Sequence, residues 1–273
     1  MSEQGMICGL KRFAVHDGDG IRTTVFFKGC PLRCVWCHNP ESISYDVERA
    51  YFSHLCRHCE KCMGEDCPFG ARVCYGEKIR VDELCYRLLS DRAFYESSGG
   101  GVTLSGGECL SQPAFAIALA KALFDEGISV DIDTCGCVPW ASFEKILPYV
   151  DTFLYDIKAI DAEVHKRCTG RENALILENL RKLSEAGARI EIRIPLVVGY
   201  NDGQIDAIGR YLSELSGIVR IKVLAYHEFA RSRYAALGKV DTMPHTETTK
   251  EDVAGAVRRL CEYGLNAVAD TEA

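Results

Sequence analysis

The sequence predicts an α/β fold in which parallel strands form an open or closed barrel rather than a Rossmann sheet. Three observations carry this. Six or more β-branched and aromatic runs alternate with helix-period apolar stripes, which implies right-handed βαβ units on a parallel sheet. No G-x-G-x-x-G opens a helix after the first strand, because Gly18-Asp19-Gly20 is too short and precedes it. Polar residues gather after strand ends, at Cys30–Cys37, Ser105–Glu108, Asp133–Gly136, Asp156–Lys158 and Tyr226–Glu228, where α/β barrels place their active sites.

Each element follows from its own residues. Thr23–Lys28 is β-branched and aromatic with glycine following, a strand that runs directly into Cys30. Residues 38–80 are rich in Cys, Gly, Pro and charge and read as a loop-rich insert. Val81-Asp82-Glu83-Leu84 opens a helix running to Tyr95, and Gly101–Ser105 is a short strand ending in Gly-Gly. Phe115, Leu119, Ala122 and Leu123 form a helical stripe. Ile128–Asp133 is a strand, Trp140–Pro148 a helix and Thr152–Ile157 a strand. Leu175–Ala186 is helical, Ala188–Val197 a strand and Gln204–Leu215 a helix. Ile218–Ala225 is a strand, Lys250–Tyr263 a helix and Asn266–Ala269 a last short strand.

Composition narrows the function classes. The 273 residues are 47% hydrophobic and 26% charged, which suits a globular chain with a sizeable core. An excess of 39 acidic over 32 basic residues speaks against a nucleic-acid footprint. No apolar run reaches membrane-spanning length, and Met1–Leu10 lacks the basic flank and apolar stretch of a signal peptide. The reading is therefore cytoplasmic, away from membranes. Fifteen cysteines are the outlier. Without a secretory signal they point to metal ligation before disulfides.

Eight of the cysteines fall in two tight groups. Cys30, Cys34 and Cys37 have C-x3-C-x2-C spacing, and three such thiolates can bind three irons of a [4Fe–4S] cluster and leave the fourth iron open. A zinc loop using His38, or a cluster completed by a distant thiol, remains an alternative. Cys56, Cys59, Cys62 and Cys67-Pro68 come close to the ferredoxin run C-x2-C-x2-C-x3-C-P, with Cys74 just beyond. Four of these five hold either a second [4Fe–4S] cluster or structural zinc, and Cys67 is favoured over Cys74 as fourth ligand. The other seven, Cys8, Cys85, Cys109, Cys135, Cys137, Cys168 and Cys261, read mainly as small buried apolar residues.

The segment Lys28-Gly-Cys-Pro-Leu-Arg-Cys-Val-Trp-Cys-His-Asn-Pro-Glu-Ser42 resembles the cluster loop of radical S-adenosylmethionine (SAM) enzymes. More narrowly it resembles the activating enzymes of glycyl radical enzymes, the group that includes pyruvate formate-lyase activating enzyme. Asp17-Gly-Asp-Gly-Ile-Arg22 is similar to that family's Asp-Gly-Pro-Gly-Ile-Arg segment, with Asp19 where relatives usually carry proline. Ser105-Gly-Gly-Glu108, Asp133-Thr-Cys-Gly136, Asp156-Ile-Lys158 and Leu224-Ala-Tyr-His-Glu228 match further motifs, all in the family's order. Cys109 stands where proline or alanine is more usual.

The resemblance implies a partial (β/α)6 TIM-like barrel of the radical SAM type over residues 1–50 and 79–273, with a small Cys-rich, ferredoxin-like insert over 51–78. It implies that SAM chelates the open iron, is cleaved reductively to a 5′-deoxyadenosyl radical, and that this radical takes hydrogen from a backbone glycine of a partner enzyme. Cys30, Cys34 and Cys37 are then the cluster ligands. Trp36, Cys37, His38, Gly106, Gly107, Asp133, Asp156, Ile157, Lys158, Arg193 and His227 are the expected SAM contacts. Gly106 and Gly107 would let backbone approach the methionine moiety, Arg193 would face its carboxylate, and Trp36 and His38 would lie against adenine. Asp133 and Thr134 resemble a segment that also holds a monovalent cation, Glu108 is expected to support the glycine loop, and Asp17 is expected to face the partner. Implied partners are a glycyl radical enzyme and a flavodoxin or ferredoxin-type reductant, in a monomer of anaerobic metabolism. A radical SAM enzyme of a small molecule is the alternative. A ferredoxin-like carrier or zinc protein fits less well, since neither has use for the SAM-face motifs.

Overall fold

The computed structural model describes residues 3–64 and 67–270, so residues 1–2, 65–66 and 271–273 of the segments expected above lie outside the described residues. The chain opens with β1 (Gln4–Ala14), to which the sequence reading assigns no element. It lies antiparallel to β2 (Arg22–Phe27), with register shifts between Ile7 and Gly9 and between Lys11 and Ala14. The second shift holds Phe13 at φ 58°, an uncommon value for a side chain of that size. These irregularities blur the alternation that marks a strand.

The Cys-rich stretch contains β3 (Glu48–Tyr51) and β4 (Arg72–Tyr75), which form a separate two-stranded sheet. β5 (Glu77–Arg80) rejoins the main sheet antiparallel to β1. The helix expected from Val81 to Tyr95 is two helices, α1 (Val81–Leu89) and α2 (Arg92–Ser98). Asp91 breaks them apart: its carboxylate accepts from Thr23 Oγ1 at 2.9 Å and pairs with Arg12 at 3.3 Å. The alternation then continues through β6 (Gly101–Gly106), α3 (Pro113–Asp125), β7 (Ser129–Thr134), α4 (Trp140–Ile146) and β8 (Thr152–Asp156). Next come α5 (Ala162–Thr169), α6 (Ala174–Glu185), β9 (Ile190–Leu196), α7 (Ile205–Ser213) and β10 (Ile218–Ala225). α8 (Arg231–Ala236), α9 (Lys250–Glu262) and β11 (Ala267–Ala269) complete the described chain.

The nine-stranded sheet has the order β11-β10-β9-β8-β7-β6-β2-β1-β5. Every neighbouring pair from β11 to β2 is parallel. Among the described residues the edge strands β5 and β11 do not pair, so the barrel is partial, as the resemblance implies. Period-two alternation sorts the strands into two faces. Val25, Phe27, Val102, Leu104, Val130, Ile132, Ile192, Ile194, Ile221 and Val223 join the helices in the main apolar core. The opposite face carries Thr24, Thr103, Asp131, Asp133, Glu191, Arg193, Arg220 and Lys222, so the concave side of the barrel is largely polar.

The connection between β1 and β2 lies in this polar concavity. Asp17 accepts from Thr24 Oγ1 at 2.7 Å, and the His16 carbonyl accepts from Arg193 at 2.6 Å. Asp19 pairs with Arg220 at 2.9 Å and Arg189 at 3.2 Å. Asp19, which stands where relatives usually carry proline, is thus pinned by two guanidinium groups.

Candidate active site

The strand β2 delivers the first cysteine group to the C-terminal side of the sheet. Lys28 is fully buried and donates to the Glu41 carbonyl at 2.7 Å and to Glu48 at 3.0 Å, tying the start of the loop to its end. Gly29, at φ +95°, makes the turn; a β-carbon there would sit 2.1 Å from the Tyr45 ring. The amides of Arg33 and Val35 donate to the carbonyls of Thr169 and Cys168, which seats the loop on the end of α5.

Cys30, Cys34 and Cys37 open onto one cavity of about 320 Å³. Burial raises the thiol of Cys34 and pushes that of Cys37 up to about 12, while Lys158 opposes it at both. Cys30 is instead held below its ordinary value, chiefly by a hydrogen bond with Cys135. Loading a metal here must therefore displace protons. Among the described residues no group of three or more His, Cys, Asp or Glu side chains is arranged to hold a single metal ion. A cluster spaces its thiolates more widely, since each takes a different iron, and three thiols around one cavity fit that demand.

Strand ends supply the remaining walls. Of the expected SAM contacts, Trp36, Cys37, His38, Gly106, Gly107, Asp133, Asp156, Lys158 and His227 all line the cavity. Ile157 and Arg193 do not. Ile157 is packed in the main core. Arg193 lies among Asp17, Asp133 and Glu191 at 3.6–3.8 Å, and its buried Nε has no hydrogen-bond partner among the described residues. Ser105, Cys135 and Tyr226 also line the cavity. They sit inside the quoted motifs, so their position beside the expected contacts was the available signal.

Lys158 donates to Asp156 at 2.6 Å. Burial works against its charge, but Asp156, Cys34 and Cys135 outweigh that and raise its pKa. The cavity thus contains a firmly protonated ammonium, suited to an anionic ligand group. Asp133 accepts from Ser105 at 2.5 Å, and burial pushes its carboxyl up to about 6.

The two glycines have a structural reason besides the cavity. A β-carbon on Gly106 would lie 2.2 Å from the Phe27 amide nitrogen, and one on Gly107 would lie 2.4 Å from the Gly29 carbonyl oxygen. Glu108 turns away from the cavity and is fully buried. Its carboxylate accepts from Leu110 N at 3.0 Å and from Thr134 Oγ1 and Cys135 N at 2.8 Å each. It therefore binds the β6 loop to the β7 loop, and both reach the cavity. Cys109 is also fully buried, its thiol pointing at the Asp133 carbonyl at 3.7 Å.

Aromatic rings form the side near β10. His38 stacks on His227 at 4.0 Å, and its Nε2–H donates to the His227 carbonyl at 2.9 Å. Burial, with His227 and Arg233 nearby, lowers the His38 pKa to about 4, so the ring is neutral. Trp36 belongs to a second, smaller core with Cys168, Val197, Tyr226, Ala230, Tyr234 and Met243. Tyr234, on α8, donates to the Cys37 carbonyl at 3.0 Å, and Arg233 pairs with Glu41 at 2.9 Å. The sequence reading assigns no element to α8, yet it braces the cysteine loop.

In the Cys-rich stretch, Cys56, Cys59, Cys62 and Cys67 line a smaller cavity of about 70 Å³, together with Tyr51 and Arg72. Cys74 lies in β4 opposite Arg49 and is absent from that wall. All fifteen cysteines are free of disulfides.

Residues 24–212 match the Radical SAM superfamily. The trans-4-hydroxy-L-proline dehydratase activating enzyme of Clostridioides difficile is 37% identical over 291 residues, spanning 94% of this chain and 96% of that one. The isethionate sulfite-lyase activating enzyme of Oleidesulfovibrio alaskensis is 37% identical over 272 residues, spanning 86% and 87%. A solved domain of pyruvate-formate lyase-activating enzyme from Bacteroides vulgatus superposes with a TM-score of 0.54 at 30% identity, covering 63% of this chain and 99% of that one. The chain belongs to the radical SAM superfamily and, within it, to the activating enzymes of glycyl radical enzymes. The family uses a [4Fe–4S] cluster and SAM.

Proposed function

We propose that this chain cleaves SAM reductively at a cluster held by Cys30, Cys34 and Cys37 and uses the product to take hydrogen from a backbone glycine of a partner enzyme. The observation that carries the reading is the convergence of these three thiols with the strand-end residues Gly106, Asp133, Asp156, Lys158 and His227 around one cavity. Bound there, the cluster and SAM would supply a carbon-centred radical able to remove hydrogen from an unactivated position. The protein's share is orientation and exclusion of side reactions. Lys158, kept charged by Asp156, would meet the SAM carboxylate. Asp133 and Thr134 would hold polar groups of SAM or a monovalent cation. Trp36, His38 and His227 offer aromatic faces to the adenine side. The place of Arg193 among three carboxylates supports a positioning role rather than direct contact.

Four cysteines on one wall of the insert support a second [4Fe–4S] cluster on Cys56, Cys59, Cys62 and Cys67, with Cys74 outside it. Reduction would come from a flavodoxin or ferredoxin-type donor. We further read the chain as a monomeric, cytoplasmic oxidoreductase of the pyruvate formate-lyase activating type.

The test is anaerobic reconstitution, reduction and addition of SAM with candidate glycyl radical enzymes, beginning with partners of the kinds named for the relatives. The expected result is a doublet glycyl-radical EPR signal on the partner and stoichiometric 5′-deoxyadenosine. No 5′-deoxyadenosine under these conditions rejects the proposal. Iron analysis should give about eight irons per chain for two cubane clusters. Cys34→Ala should lose SAM cleavage and keep the insert's iron.

A further inference from the structure

Phe229 is 84% exposed, more than any other phenylalanine among the described residues. It follows closely on Tyr226 and His227, which line the cavity, but does not line it itself. The ring is nevertheless held in place. It stacks on His227 at 4.4 Å, and His227 stacks in turn on His38 at 4.0 Å. The Phe229 amide also donates to His227 Nδ1 at 3.4 Å. A rigid aromatic face is thus presented to solvent beside the cavity mouth.

The neighbouring charges are spent on one another. Glu228 pairs with Arg231 at 2.8 Å, and Arg231 also pairs with Asp241 at 2.7 Å. What this rim offers a visitor is therefore the phenyl ring. A glycine that must reach the cavity has no side chain to be gripped, so its recognition falls to the residues on either side of it. Preorganised aromatic rings on a binding rim are the kind of group that dominates protein–protein affinity.

We propose that Phe229 is a docking contact for the partner enzyme's glycine-bearing segment, seating an apolar side chain that flanks the glycine. This rests on the function proposed above.

The test compares wild type with Phe229→Ala and Phe229→Tyr, using the glycyl radical enzyme that wild type activates best. For Phe229→Ala the partner's Kd and KM should rise about thirtyfold, the scale of a dominant interface residue, with kcat and partner-free SAM cleavage unchanged. Phe229→Tyr should restore affinity. An unchanged partner affinity in Phe229→Ala overturns the proposal. So does an equal loss of partner-free SAM cleavage, which would place the ring's effect in the cofactor site. A wild-type chain that binds the partner yet never generates a radical rejects the proposed function instead, while the affinity comparison still decides the docking contact.

Discussion

Asp19 shows how a single departure from a family pattern is absorbed. Proline would stiffen the turn covalently, whereas Asp19 fastens it to Arg220 and Arg189. The Arg220 hydrogen bond, ahead of the charges of both arginines, holds the Asp19 carboxyl below its ordinary range. A depressed carboxyl contributes stability at pH values above its unfolded pKa and loses it as the pH falls through the lowered folded value. Because the side chain is half exposed, Asp19→Asn should cost about 1 kcal/mol or less at neutral pH. Thermal melts should show that difference shrinking toward pH 3 and in high salt. Where residue type and motif coincide, as at Cys30, Cys34, Cys37 and Lys158, the sequence singled out residues that the fold brings to one cavity. Arg193 was harder to read. Its strand position is evident, but the three carboxylates around it come from β7, β9 and the β1–β2 connection, far apart in the chain.

Elements were legible wherever a period ran without interruption, as in β6, β7, β9 and α9. They were hidden where another segment supplied the stabilisation. Bulges obscure β1, and α8 takes its place from the cysteine loop it supports. The β7–α4 connection shows such a tertiary demand at one position. Gly136 sits at φ +74°, and a β-carbon there would fall 1.9 Å from Tyr155 Oη. That hydroxyl donates to the Ile176 carbonyl at 2.7 Å, so it is not free to retreat. Gly136→Ala should destabilise the protein by about 1–3 kcal/mol through backbone strain and displacement of Tyr155. Urea denaturation measures this, and a neutral result would mean the loop can shift without loss.

For the whole molecule, the alternating pattern specified the parallel sheet, but not how the Cys-rich stretch is fastened to it. Glu48 at the start of β3 pairs with Lys28 at 3.0 Å and with Lys239 at 2.8 Å. Removing it takes the carboxylate away from the buried Lys28 ammonium, which keeps its bond to the neutral Glu41 carbonyl. Glu48→Ala should therefore cost about 3 kcal/mol and expose the stretch between β3 and β4 to proteolysis, readable from an unfolding midpoint and a digestion time course. The sheet's unpaired edges have a different consequence. Among the described residues backbone ladders run from β11 round to β5, and the β1–β2 connection bridges toward the far side through His16, Asp17 and Asp19. Salt would screen the exposed Asp19 pairs of this seam but reach the buried Asp17–Arg193 pair much less. The barrel is closed across its gap like a clasp, by side chains reaching over it rather than by a further strand.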